Sequence, residues 1–359
     1  MDNITHAAFG VGVFATYTAI AGAPEPGAVA TAACVAAVVG AEWPDFDLLF
    51  QIFSGPVRYL YQHRQISHSI PLWFACSLIV AAIINFVVPV HFWLYAWLSF
   101  LGTLTHVGLD LLTAYGTKAL WPISKRRFRG DILFVVEPVY LLLFIVGCVL
   151  IQLGTPYDAT VYAIDGFALL FTLRRVGLRA WLTRRFTRWL SQQACFDGTT
   201  PPVWRVLPTI FALPHGYKYV VQQGQRFWFG SFSWKGDILP EAHAESANGN
   251  AVQHVLQYSR VGRAMSWFAP MLFVQVEDEG QWTVVHLSDA SVRYVDTLPF
   301  SATVDLARTA EGNYVVVHEG IRAQPIYFTK LWQDAFRALG KRRSLHIPNP
   351  RGYRSKPRV

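Results

Sequence analysis

The chain has 359 residues, of which 53% are hydrophobic and only 15% charged, a balance that excludes an ordinary soluble protein and points to membrane spans joined to a soluble domain. The formal net charge of +8 falls in a few basic blocks beside apolar runs. There it sets membrane topology and attracts anionic lipid, which makes nucleic acid an unlikely partner and the lipid bilayer the expected one.

In chain order, a span of roughly 20 mostly apolar residues is predicted over Ile4–Ala23, Gly27–Trp43, Ser69–Val90, His91–Leu109 and Ile132–Leu153, with a more polar sixth over Tyr157–Leu173. Connections 23–27, 86–92 and 154–160 contain no Lys or Arg. The alternate set is basic: Arg58 and Arg64, then Lys125, Arg126, Arg127 and Arg129, then six arginines from Arg174 to Arg188. Cytoplasmic loops are enriched in Lys and Arg. Six spans with both termini cytoplasmic put all three basic segments on one side, as expected of a multi-pass protein of a bacterial-type inner (plasma) membrane. No cleavable signal peptide is expected, because the N-terminus lacks a basic n-region. Cys34, Cys76, Cys148 and Cys195 form no Cys-x-x-Cys pair and suggest neither disulfides nor a thiolate zinc site.

From about Thr199, after which Pro201-Pro202 marks a break, the pattern becomes short β-branched and aromatic runs. Examples are Tyr217–Val221, Arg226–Phe229, Met271–Val276 and Tyr314–Val317, with turn signals at Glu279-Gly280 and Glu311-Gly312-Asn313. The expected fold class is therefore an α-helical integral membrane bundle of about six spans, followed by a small antiparallel β-rich soluble domain. Its divisions are 1–195 for the membrane-embedded domain, 200–340 for a β-rich cytoplasmic domain closed by a helix near Leu331–Leu339, and 341–359 for a basic flexible tail.

On this topology a set of His, Asp and Glu residues falls on one side, while Asp158 and Asp165 lie on or near the opposite end of the sixth span and are left out of the site. His6 starts the first span, Asp45 and Asp47 follow the second, His63 and His68 precede the third, and His106 with Asp110 end the fourth. Asp131 and Glu137 flank the start of the fifth. Any one alone could be an interfacial histidine or a turn aspartate, but ionisable groups inside apolar spans are costly and usually functional. His106 and Asp110 share a helix face at i, i+4. Asp45 and Asp47 would point the same way from an extended segment. Imidazole and carboxylate suit zinc or a similar divalent ion, one or two in number. Asp47, His63 and Arg64 are the candidate catalytic residues, and guanidinium matches phosphate oxygens in a bidentate way.

Together Asp2-x-x-Thr5-His6, Pro44-Asp45-x-Asp47, His63-Arg64-x-Ile66-Ser67-His68-Ser69, His106-x-x-x-Asp110-x-x-Thr113-x-Tyr115-Gly116-Thr117 and Trp121-Pro122 resemble the YdjM-type family of LexA-regulated, membrane-bound metal-dependent hydrolases. Gln65 and Ser67 stand where that family has Gly and Thr, and Glu137-Pro138 where it tends to have Asp-Pro. The resemblance spans roughly residues 1–195 and implies a membrane helix bundle with a divalent-metal site. The metal-ligand set expected is His6, Asp45, Asp47, His63, His68, His106, Asp110 and Glu137. The expected function is attack by metal-activated water on a phosphoester, an anionic substrate that a lipid headgroup at the cytoplasmic face would provide. The alternatives are a divalent-cation transporter or sensor, and a membrane anchor for a partner-binding β domain with a structural metal.

Overall fold

The computed structural model describes residues 1–22, 27–47, 55–61, 64–193, 200–210, 213–278, 280–293, 298 and 300–323. The chain divides into two compact units, Met1–Ala180 and Trp181–Val359.

The first unit is helical, with α1 over Asn3–Ala21, α2 over Ala28–Glu42, α3 over Ile70–Val87, α4 over Phe92–Leu112 and α5 over Pro138–Gln152. The last helix, α6, runs over Tyr157–Leu190. Sequence sets the starts. Asp2 caps α1 by accepting from the Thr5 amide at 3.0 Å, and Pro71 and Pro138 sit in first turns, where a missing N–H costs nothing. Among the described residues three helical stretches are long and apolar enough to cross a membrane: Asn3–Ala21, Ala28–Phe46 and Ile70–Val87; Pro138–Gln152 is apolar but shorter. Among the described residues six spans are thus not reached on length and apolarity. Helix α4 carries Thr103, Thr105, His106 and Asp110, and α6 turns arginine-rich halfway. The expected fifth span begins only at Pro138, because Leu133 pairs with Thr113 in a short parallel bridge instead of joining a helix. Large apolar side chains such as Ile83, Phe86, Leu142, Ile145 and Leu170 are exposed on the outside of this unit, the arrangement lipid requires.

Inside, α2 packs against α4 through small residues. Ala33, Ala36 and Ala37 are buried against Tyr95 and Leu98. A Cβ on Gly40 would overlap the Ser99 backbone, and one on Gly102 would overlap the Ala37 carbonyl. Gly102→Ala is therefore expected to destabilise by roughly 1–3 kcal/mol or more, the cost of overpacking against backbone that cannot yield. Gly108→Ala, with nothing within 4 Å of its added Cβ, is expected to be neutral or slightly stabilising. Thermal unfolding of the detergent-solubilised variants checks both.

The second unit contains two four-stranded antiparallel sheets with strands in sequential order. The first has β1 Val203–Leu207, β2 Lys218–Gln223, β3 Arg226–Phe232 and β4 Ile238–Glu245; the second has β5 Leu272–Asp278, β6 Trp282–Asp289, β7 Phe300–Arg308 and β8 Tyr314–Ala323. The expected strands are present. Two helices were not expected, α7 over Asn250–Tyr258 and α8 over Arg260–Phe268. They bury Val252 and Val255, then Val261, Ala264 and Met265, and Ser259 caps α8 by accepting from the Gly262 amide. A core of Leu207, Val220, Phe227, Phe229, Met271 and Phe273 joins the sheets. The end of α6 contributes to this unit too, with Phe186 against Trp204, Tyr219 and Phe232. The expected helix at Leu331–Leu339 and the tail 341–359 lie outside the described residues.

Candidate metal centre

Helix α4 delivers His106 and Asp110 from adjacent turns. The stretch before α3 delivers His68, and the 3-10 turn Trp43–Asp47 at the end of α2 delivers Asp45. One ligand atom from each of these four lies within 4.8 Å of all the others. His68 Nε2 is 3.2 Å from both His106 Nε2 and Asp110 Oδ2. Asp45 Oδ1 is 3.6 Å from His106 Nε2 and 3.7 Å from His68 Nε2, and His106 Nε2 is 3.8 Å from Asp110 Oδ2. At metal–ligand distances of about 2.1 Å the edges of a tetrahedral site are roughly 3.4 Å, so the measured separations fit one cation. The chemistry of the donors agrees. The His106 Nδ1–H donates to the Ala41 carbonyl at 2.5 Å, which leaves Nε2 with its lone pair toward the centre, and Asp45 Oδ1 is buried without a hydrogen-bond partner.

Surrounding groups fix these four. His68 Nδ1 lies 3.0 Å from the Ser67 hydroxyl, and burial pushes the His68 imidazole down to about 4, so it is neutral at ordinary pH, as a ligand must be. Arg64 donates to Asp110 Oδ1 at 2.9 Å and to Thr113 Oγ1 at 3.2 Å. Burial opposes the Arg64 charge, but the Asp110 and Asp45 carboxylates outweigh it and hold its pKa above the usual value. Its backbone is left-handed, with φ of 59°, a costly conformation for a non-glycine residue. The Lys118 amide bonded to the Arg64 carbonyl at 3.1 Å, together with the bonded guanidinium, holds it there. The loop that carries Lys118 is pinned by an antiparallel bridge between Thr117 and Phe128. It also brings up Arg127, which burial and the nearby Arg64 and Arg129 charges push down to about 10.

The other expected site residues divide. His6 is buried, stacks on His106 with ring centroids 3.7 Å apart, and has Nε2 3.6 Å from Asp110 Oδ1, outside the group of four. Glu137 is not in the group either: it accepts from Arg175 and from the Phe134 amide, all within buried surroundings at the start of α5. Asp131 pairs with Arg179 at 3.6 Å. The Asp45–Asp47 backbone is a 3-10 turn and not extended, so the two-residue alternation expected there does not operate; the Asp47 side chain and all of His63 lie outside the described residues. Arg64 is placed to orient Asp110. Sequence reasoning missed two main-chain participants, the Ala41 carbonyl and the amino nitrogen of Met1. The latter contacts Asp110 and lies 2.9 Å from His6 Nε2. Neither carries a residue-type signal. Among the described residues no second group of this kind occurs.

Apolar helices wrapped around a buried His/Asp cluster define a membrane protein with a centre that could hold a metal ion. The chain belongs to the YdjM inner membrane protein family, whose model matches residues 1–183. It is 36% identical over 141 residues to the "Uncharacterized protein YfhP" of Bacillus subtilis (strain 168), an alignment covering 38% of this chain and 42% of that protein. The chain thus spans less than half the length of this relative. No solved structure matches it.

Proposed function

We propose that the chain is a membrane-bound metal-dependent hydrolase that cleaves a phosphoester at the cytoplasmic face of the inner membrane, with a lipid headgroup as the favoured substrate. The observation that carries this reading is the convergence of Asp45, His68, His106 and Asp110 on one cation-sized space. Zinc or a similar divalent ion held there would lower the pKa of a water and polarise the scissile oxygen. The chain's own residues orient and protect. Ala41 and Ser67 set the imidazoles, Arg64 holds Asp110, and the burial of His68, His106 and Asp110 keeps bulk water away. Basic residues of the 117–131 loop offer attraction for an anionic substrate, and Arg127 is held close to Arg64 and Arg129 by the same loop.

In this reading residues 1–195 form the hydrolase domain, crossing the membrane six times with both termini cytoplasmic, and 200–340 form a cytoplasmic β-rich domain. The shorter apolar helix Pro138–Gln152 supports a higher span count. His6, Asp47 and His63 complete the site. The test is hydrolysis of bis-p-nitrophenyl phosphate and of phospholipid vesicles by purified protein supplied with zinc or manganese. Activity abolished by chelator and restored by metal is expected; a metal-loaded, folded protein inactive on every phosphoester offered would overturn the hydrolase reading.

A further inference from the structure

The end of α6 in the second unit presents two faces of different character. Leu182, Phe186 and Leu190, spaced i, i+4, i+8, are buried. Trp181, Arg184, Arg185 and Arg188, spaced i, i+3, i+4, i+7, form a separate stripe. In it Trp181 is 39% exposed, and Arg184 and Arg188 are exposed. The β3–β4 hairpin meets this stripe. Gly236, with φ of +75°, lies directly under the Trp181 ring, and Asp237 accepts from Arg185 at 2.9 Å while that guanidinium sits 5.3 Å from the Trp181 ring centroid. At the hairpin tip Trp234 is 54% exposed, stacked on His215 at 3.5 Å, and followed by exposed Lys235.

Exposed tryptophans ringed by Lys and Arg are the composition that settles at a membrane–water interface, where the indole lies at headgroup depth and the cations meet anionic lipid. Asp237, the acidic group of the hairpin, is paired with Arg185. In the sequence, Trp181 follows Leu173, the end of the expected sixth span, by only eight residues. We infer that the Trp181/Arg185 stripe and the Trp234–Lys235 hairpin tip form a docking surface for the anionic headgroups of the bilayer.

The test uses the full chain in lipid nanodiscs and reads hydrogen exchange at the hairpin, residues 231–238. Discs of neutral phosphatidylcholine are compared with discs containing about one third phosphatidylglycerol. Exchange is expected to slow by roughly fivefold or more in the anionic discs, one basic residue's share of the attraction to such a surface. High salt should reverse the effect, and the β7–β8 turn around Gly312 should not respond. A double Trp234→Ser, Lys235→Glu variant should lose the protection while the exchange of β6 stays as in the parent. Equal exchange in both kinds of disc, or protection that needs an added protein or nucleic acid, would overturn the inference.

Discussion

His106→Ala protein, purified with zinc or manganese supplied, is expected to bind divalent metal at least ~100-fold more weakly than the parent. Losing an outer partner of a metal ligand already costs 10–100-fold, and His106 is proposed as a ligand itself. Elemental analysis of parent and variant reads the effect directly. Asp110→Asn should lose metal too, but it also removes the carboxylate that Arg64 and His68 engage, so its loss mixes ligation with folding. His106→Ala is the cleaner variant: its Nδ1 bonds only a backbone carbonyl, and the helix it sits on is retained. A well-folded parent that carries no metal under the same conditions would remove the basis of the metal centre.

Arg175→Met is expected to cost the first unit about 3–5 kcal/mol, because it strands the buried Glu137 carboxylate without the cation that faces it. Both side chains are fully buried. The double variant Glu137→Leu, Arg175→Met should recover most of that loss, since an apolar pair of similar volume is often no worse than a buried ion pair. Thermal unfolding of the four proteins closes the cycle. The same series separates two roles for Glu137. As the partner of Arg175 it can become Gln with parental metal content; were it a ligand, Glu137→Gln would lose the ion.

What was legible of the site in the sequence is the pair that a single helix fixes. His106 and Asp110 at i, i+4 had to share a face, and they do. That Asp45 and His68 join them depends on how α2 and the stretch before α3 pack, which no spacing encodes. Glu137 lies apart from the four for a related reason: a carboxylate beside an apolar span looks like a ligand in the sequence, and nothing there shows that Arg175, 38 residues further on, faces it. In the second unit the alternating strands were readable from their β-branched and aromatic runs. The two helices between the sheets were not, although Ser259 at a cap position and the Val252/Val255 and Val261/Met265 spacings were local signals that could have marked them.

The glycine contacts between α2 and α4 bear on how firmly the centre would hold an ion. Gly40 and Gly102 let the two backbones meet with no side chain between them, and Thr103 donates across the seam to the Gly40 carbonyl at 3.0 Å. Asp45 and His106 hang from the two sides of that seam, so their separation is set by main chain and not by adjustable side-chain packing. The donor set itself disfavours calcium, which takes six to eight oxygen ligands, because two of the four donors here are imidazole nitrogens. Replacing Gly40 or Gly102 would then act at a distance: a wedge in the seam moves Asp45 away from His106 and loosens the hold on an ion they would share.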